Sequence, residues 1–153
     1  MKTVRRRSAP GFTTVELIVA MLIGAVLTAI AVPQVLSMVS GYRLQGAVDT
    51  CTWAIQSTRY QSLEQGLPYR IVFSSAAGTY QIQNMPSGAT TYSNVGTPIP
   101  LAGVPVALNQ DTTVQFKPNG SVSATTGALT FQLTYQGVTK TITVSTYGNI
   151  TLS

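Results

Sequence analysis

Histidine is absent from this chain of 153 residues, and cysteine occurs once, at Cys51. The first absence removes the commonest general base and the commonest metal ligand. It also rules out a Ser/His/Asp arrangement, however many serines and threonines are present. A single cysteine excludes an intrachain disulfide and a thiolate metal cluster. Charge is scarce as well, at 8 % Asp, Glu, Lys and Arg, with only four acids. Glu16, Asp49, Glu64 and Asp111 are scattered, so the sequence gathers no carboxylate dyad and no metal site. The Gly-rich stretches fit turns and lack the Gly, Lys and Ser/Thr pattern of a phosphate loop. These absences argue against an enzyme, and no catalytic residue, metal or cofactor is expected.

What the chain does have is concentrated in residues 8–39, SAPGFTTVELIVAMLIGAVLTAIAVPQVLSMV. A short basic leader (Lys2, Arg5, Arg6, Arg7) stops at Gly11, and Phe12 opens an apolar run with one carboxylate, Glu16, just inside it. An ordinary secretory signal is cut after its apolar stretch, which is then lost. Here the one sensible cut point, Gly11–Phe12, comes before the stretch, so the helix would be retained. Leu17 to Val32 carries no charge, and its only polar side chain is Thr28. With its flanks it reaches the roughly 20 residues that a bilayer crossing needs. Four positive charges directly before such a span hold that end in the cytoplasm and send everything after Val39 across the membrane. The formal charge of +5 therefore reports topology, because residues 12–153 keep five basic side chains against four acids. Pro33 removes a backbone donor and should kink the helix. It is either a tolerated kink or a place where the helix softens during packing.

Past Gly41, Leu44, Ala47, Val48, Cys51, Ala54, Ile55 and Thr58 recur at three- and four-residue spacing, one face of an amphipathic helix. Gly66 and Pro68 mark its stop. One helix of about 50 residues results. Its first half is expected in the membrane, and its second half should back a soluble domain. Strands are expected at Tyr69–Phe73 and Thr79–Gln83, joined by a tight turn, then a long loop over 84–103. Further strands follow at Val104–Leu108, Thr113–Phe116, Leu129–Tyr135, Val138–Val144 and Ile150–Leu152. The fold class is α+β, one long helix on an antiparallel sheet. The chain divides into a leader (1–11), a transmembrane and assembly segment (12–39) and a globular domain (40–153). That domain holds the amphipathic half-helix 40–66 and the sheet 69–153.

Gly11-Phe12-Thr13-Thr14-Val15-Glu16-Leu17, the apolar run and Pro33 resemble the prepilin-like proteins of type IV pili and type II secretion. Residues 51–83, with the turns Phe116 to Gly120 and Val144 to Gly148, are similar to the GspH/FimT-like minor pseudopilins. The resemblance implies a pilin-like fold, cleavage by the inner-membrane prepilin peptidase between Gly11 and Phe12, and N-methylation of Phe12. It implies a structural subunit at or near the tip of a type II secretion pseudopilus or type IV pilus, supporting assembly and secretion. Its partners would be other pilins or pseudopilins, the peptidase/N-methyltransferase and the inner-membrane assembly platform. It would start as a single-pass inner-membrane protein, N-terminus cytoplasmic and globular domain periplasmic. FimT-like pilins that capture DNA carry Gly-Arg-x-Arg near the C-terminus. Here that stretch reads Gly148-Asn149-Ile150-Thr151, so DNA uptake is disfavoured. The acidic calcium site of major pseudopilins has no counterpart, since Asp111 is the only acid after Glu64.

Glu16 has two readings. Either the helix N-terminal dipole compensates it at the headgroups, or it pairs with the positive N-terminus at Phe12 of a neighbouring subunit and fixes the axial register. The position of Gly11 and Phe12 favours the second. Trp53 and Tyr60 are seven residues apart, and Trp53 points about 180° from Leu44. They are expected either to contact a neighbouring subunit or to be covered by the 84–103 loop. Cys51 is expected to be a small core residue.

Overall fold

The N-terminal helix is started by Thr13. Its hydroxyl accepts the Glu16 N–H at 3.2 Å, and its carbonyl accepts the Leu17 N–H at 3.1 Å. This satisfies one of the donors that a helix N-terminus leaves unpaired. The structure is a computed structural model that describes residues 11–103 and 105–153. Most of the leader, with Lys2 and Arg5 to Arg7, lies outside the described residues. The helix α1 runs Thr14–Gln65 and keeps helical structure through Pro33. It ends where Gly66 takes a φ of +66°, a left-handed conformation that suits glycine. Pro68 then blocks any continuation.

The described residues fall into two units, divided after Met38. In the first, α1 exposes its apolar side chains on every face. In the second, 39–153, one face of α1 is buried: Leu44, Ala47, Val48, Cys51, Ala54, Ile55 and Thr58, as their spacing predicts, extended by Ser40 and Ser62. Two small polar members of this face, Thr58 and Ser62, are hydrogen-bonded to backbone carbonyls. Thr58 donates to the Ala54 carbonyl at 2.7 Å, and Ser62 donates to the carbonyls of Leu67 and Phe116. Burial therefore leaves these hydroxyls satisfied.

Among the described residues nine strands follow: β1 Tyr69–Ser74, β2 Thr79–Asn84, β3 Ser93–Pro100, β4 Ala107–Leu108, β5 Thr112–Phe116, β6 Val122–Thr126, β7 Thr130–Tyr135, β8 Val138–Val144 and β9 Ile150–Leu152. All pairings are antiparallel. The helix-plus-antiparallel-sheet architecture stands as expected, but the single sheet does not. There are two, ordered β3-β2-β1-β5-β6 and β4-β7-β8-β9. In the first, Tyr69, Ile71 and Phe73 alternate inward along β1, with Ile71 opposite Val114 of β5. In the second, Phe131 and Leu133 alternate inward along β7, with Phe131 opposite Ile142. The sheets meet through their aromatic faces, the Phe73 and Phe131 rings having centroids 5.1 Å apart. With the buried face of α1 these residues form one hydrophobic core.

Two further departures concern strands. The 84–103 segment, expected as a loop, contains β3, which pairs with β2 from Asn84↔Ser93 to Thr79↔Pro100. β6 was not anticipated either. It pairs with β5 through Phe116↔Val122, and only Val122 along it is buried.

Candidate functional site

The start of α1 combines three features: exposed Gly11 and Phe12, the cap at Thr13, and Glu16 in the first turn. Phe12 is 80 % exposed, and a Cβ added at Gly11 would touch nothing within 4 Å. Among the described residues, nothing lies close enough to Gly11 to shield the Gly11–Phe12 bond. Thr13 and Glu16 hold the Thr-x-x-Glu spacing of a capping box, with Phe12 and Leu17 at its staple positions. Sequence reasoning singled out Glu16 and missed Thr13. The spacing itself was the available signal.

Beyond the cap, α1 offers an apolar cylinder. Its apolar stretch is long enough to cross a membrane, and none of it is buried among the described residues. Thr28 answers its own hydroxyl by donating to the Gly24 carbonyl at 2.7 Å. A helix apolar all round belongs in a membrane or in a packed protein interior.

Trp53 and Tyr60 point away from the core, at 63 % and 65 % exposed. The 84–103 segment leaves them open, because its middle is paired into the first sheet as β3. They do not share a concavity: Tyr60 lines an open groove together with Arg59, Leu63 and the β8–β9 turn, and Trp53 does not.

Cys51 is fully buried, and desolvation pushes its thiol up to about 12. It is a packing residue in this setting. Asp111 receives two hydrogen bonds from Ser75, N–H at 2.7 Å and O–H at 2.6 Å. These hold its carboxyl below the usual range. Among the described residues, no three His, Cys, Asp or Glu side chains gather into a potential metal site.

A family model described as type II transport protein GspH matches residues 47–148, more than half of the chain. The match takes in the buried face of α1 from Ala47 onward, strands β1 to β8 and the β8–β9 turn up to Gly148, and stops before β9. It does not reach the cleavage motif. No curated protein and no solved structure matches the chain.

Proposed function

The chain belongs to the GspH family of type II transport proteins, and from that premise we propose that it is a minor pseudopilin. It is a structural subunit placed at or near the tip of the pseudopilus that supports protein secretion. It begins as a single-pass inner-membrane precursor with residues 40–153 in the periplasm. The prepilin peptidase cuts between Gly11 and Phe12, and Phe12 is N-methylated. The assembly platform then moves the subunit into the filament.

One observation carries this reading: the charge-free half of α1 buries nothing against the described residues. Each large aliphatic side chain left in water forgoes about 1.5–3 kcal/mol of burial. The segment must therefore be covered from outside, first by lipid and then by the helices of neighbouring subunits. Gly24 and Ala25 allow close helix approach. Glu16 enters the filament beside the methylated Phe12 nitrogen of a neighbour and sets the axial register. Trp53 and Tyr60, both outward-facing, add side-to-side contacts.

Replacing Glu16 tests the register role. Glu16→Gln keeps the size of the side chain but removes the charge. The expected result is normal membrane insertion, cleavage at Gly11–Phe12, and loss of pseudopilus assembly and secretion. If Glu16→Gln secretes as the wild type does, the charge is not needed and the register role is wrong. Mass analysis of the mature chain checks processing separately, since it should begin at a methylated Phe12.

A further inference from the structure

An open groove of about 560 Å³ lies between the last turns of α1 and the β8–β9 turn, where Arg59, Tyr60 and Leu63 face Gly148, Asn149 and Ile150. Arg59 is held tightly at its base. Gly148 is buried with a φ of +80°, and a Cβ there would lie 2.5 Å from Arg59 Nε and 2.6 Å from its Cδ. Glycine is thus needed both for the turn and for the approach of the arginine stem. Arg59 Nε is buried and has no hydrogen-bond partner among the described residues. Nothing else lining the groove is charged. The Gly148 backbone covers the Nε–H, so a carboxylate entering the groove meets the terminal amino groups of the guanidinium, in a concavity without an acid.

The backbone beside it is also unused. β9 is an edge strand. Thr141 and Ser153 exchange both of their backbone bonds, at 2.7 and 3.1 Å, so they form a hydrogen-bonded pair of the antiparallel ladder. The alternation of such ladders makes Thr143↔Thr151 the next hydrogen-bonded pair. Ile150 and Leu152 then direct their N–H and C=O groups away from β8, toward the free edge. Ile150 also lines the groove, so the free backbone row begins beside Arg59.

We propose that this surface takes an extended, acidic segment of a partner protein, laid along β9 as an added strand with one carboxylate on Arg59. Main-chain bonds to Ile150 and Leu152 supply adhesion, and the walls of Tyr60, Leu63 and Ile150 receive alternate side chains. A nucleic acid fits poorly. A single cation lines the groove, whereas duplex binding neutralises several phosphates, and a strand edge matches a peptide backbone. The surface lies wholly within residues 39–153, so this inference stands or falls apart from the register role of Glu16.

The test uses the full-length chain in detergent micelles, isotope-labelled for NMR. The probe is an end-blocked heptapeptide of alternating Thr and Val with a central Glu, compared with the same peptide carrying Gln. The Glu peptide should shift the amides of Ile150 and Leu152 and the Nε–H of Arg59. The Gln peptide should bind about tenfold more weakly. Arg59→Gln should bind both peptides equally weakly. Leu152→Pro, which removes an outward donor while sparing the ladder to β8, should abolish binding of both. Thermal melting of each variant confirms that it is folded. The proposal is overturned if no amide moves up to about 5 mM peptide, near the weakest affinity worth titrating. Equal binding of the Glu and Gln peptides by the wild type also overturns it. So does a result in which a duplex oligonucleotide or anionic vesicles move these signals while the peptide does not.

Discussion

Leu22 and Leu44 belong to the same helix and differ in surroundings: Leu22 is 61 % exposed and Leu44 is fully buried. Truncating each to alanine separates what stabilises the globular unit from what serves the helix outside it. Leu44 sits in the core with Val48 and Cys51 on its own helix and with both sheets. Buried Leu→Ala changes cost about 2.7–5 kcal/mol, depending on how far the cavity collapses. For a unit the size of 39–153, about 4 °C of Tm accompanies each kcal/mol. Leu44→Ala should therefore lower the melting temperature by about 11–20 °C. Leu22→Ala deletes a side chain with no core to leave, so its effect on the same transition should stay within about 0.5 kcal/mol.

The assay is thermal unfolding of the full chain in detergent micelles, followed by far-UV circular dichroism and checked against urea midpoints. Equal destabilisation by the two variants would refute the reasoning, because Leu22 would then have partners inside the chain. A small effect of Leu44→Ala would refute the other half, since the α1 face would not be anchoring the core. In a secretion assay the order should reverse among well-folded variants. Leu22→Ala should weaken output without touching stability.

Two further outcomes follow from the titratable groups. With its thiol at about 12, Cys51 presents about one thiolate in ten thousand at pH 8. Its alkylation by iodoacetamide should therefore be slow until urea unfolds the chain, and rapid labelling of the folded protein would contradict its burial. Asp111 has a folded-state pKa below its ordinary value of 3.8. Its contribution is therefore complete above that value and is lost as pH falls through the lower, folded one. The difference in urea midpoint between wild type and Asp111→Ala should be constant from neutral pH down to the ordinary carboxylate range. It should narrow below that range, and a gap that widens on acidification would show the sign to be wrong.

The parts of the fold legible in the sequence were those in which burial imposes a period. The α1 face from Leu44 to Thr58 repeats every three or four residues, and β8 and β9 have the bounds their residues suggested. β3 was hidden because no side chain along it is buried. Its sequence, with Gly96, Pro98 and Pro100, reads as a loop, and it is a strand only through its backbone pairing to β2. β6 was hidden for the same reason, having one buried residue. The split into two sheets was not legible because alternation tells which face of a strand is inside, not which strand lies beside it. At the candidate site, Gly11, Phe12 and Glu16 stood out by local spacing. Arg59 against Gly148 did not, since that contact joins α1 to a turn near the far end of the chain.

The physics of α1 also explains why the proposed register falls to Glu16. Moving an aliphatic side chain from lipid to the surface of a neighbouring helix brings little hydrophobic gain, because both surroundings are apolar. The many leucines, valines and isoleucines of the segment therefore permit assembly without determining its register. Between Glu16 and Val32 the only other polar side chain is Thr28, and Thr28 is already bonded to the Gly24 carbonyl. It has nothing to gain from a neighbour. Glu16 differs: Thr13 uses its backbone N–H, and no described residue holds its carboxylate. A carboxylate in an apolar segment costs about 2.5–3.5 kcal/mol at the bilayer centre and less toward the interface. The proposed pairing with a cationic partner on the next subunit would relieve that cost at one axial position only. Across an otherwise indifferent surface, a single such pair would be enough to select the proposed register.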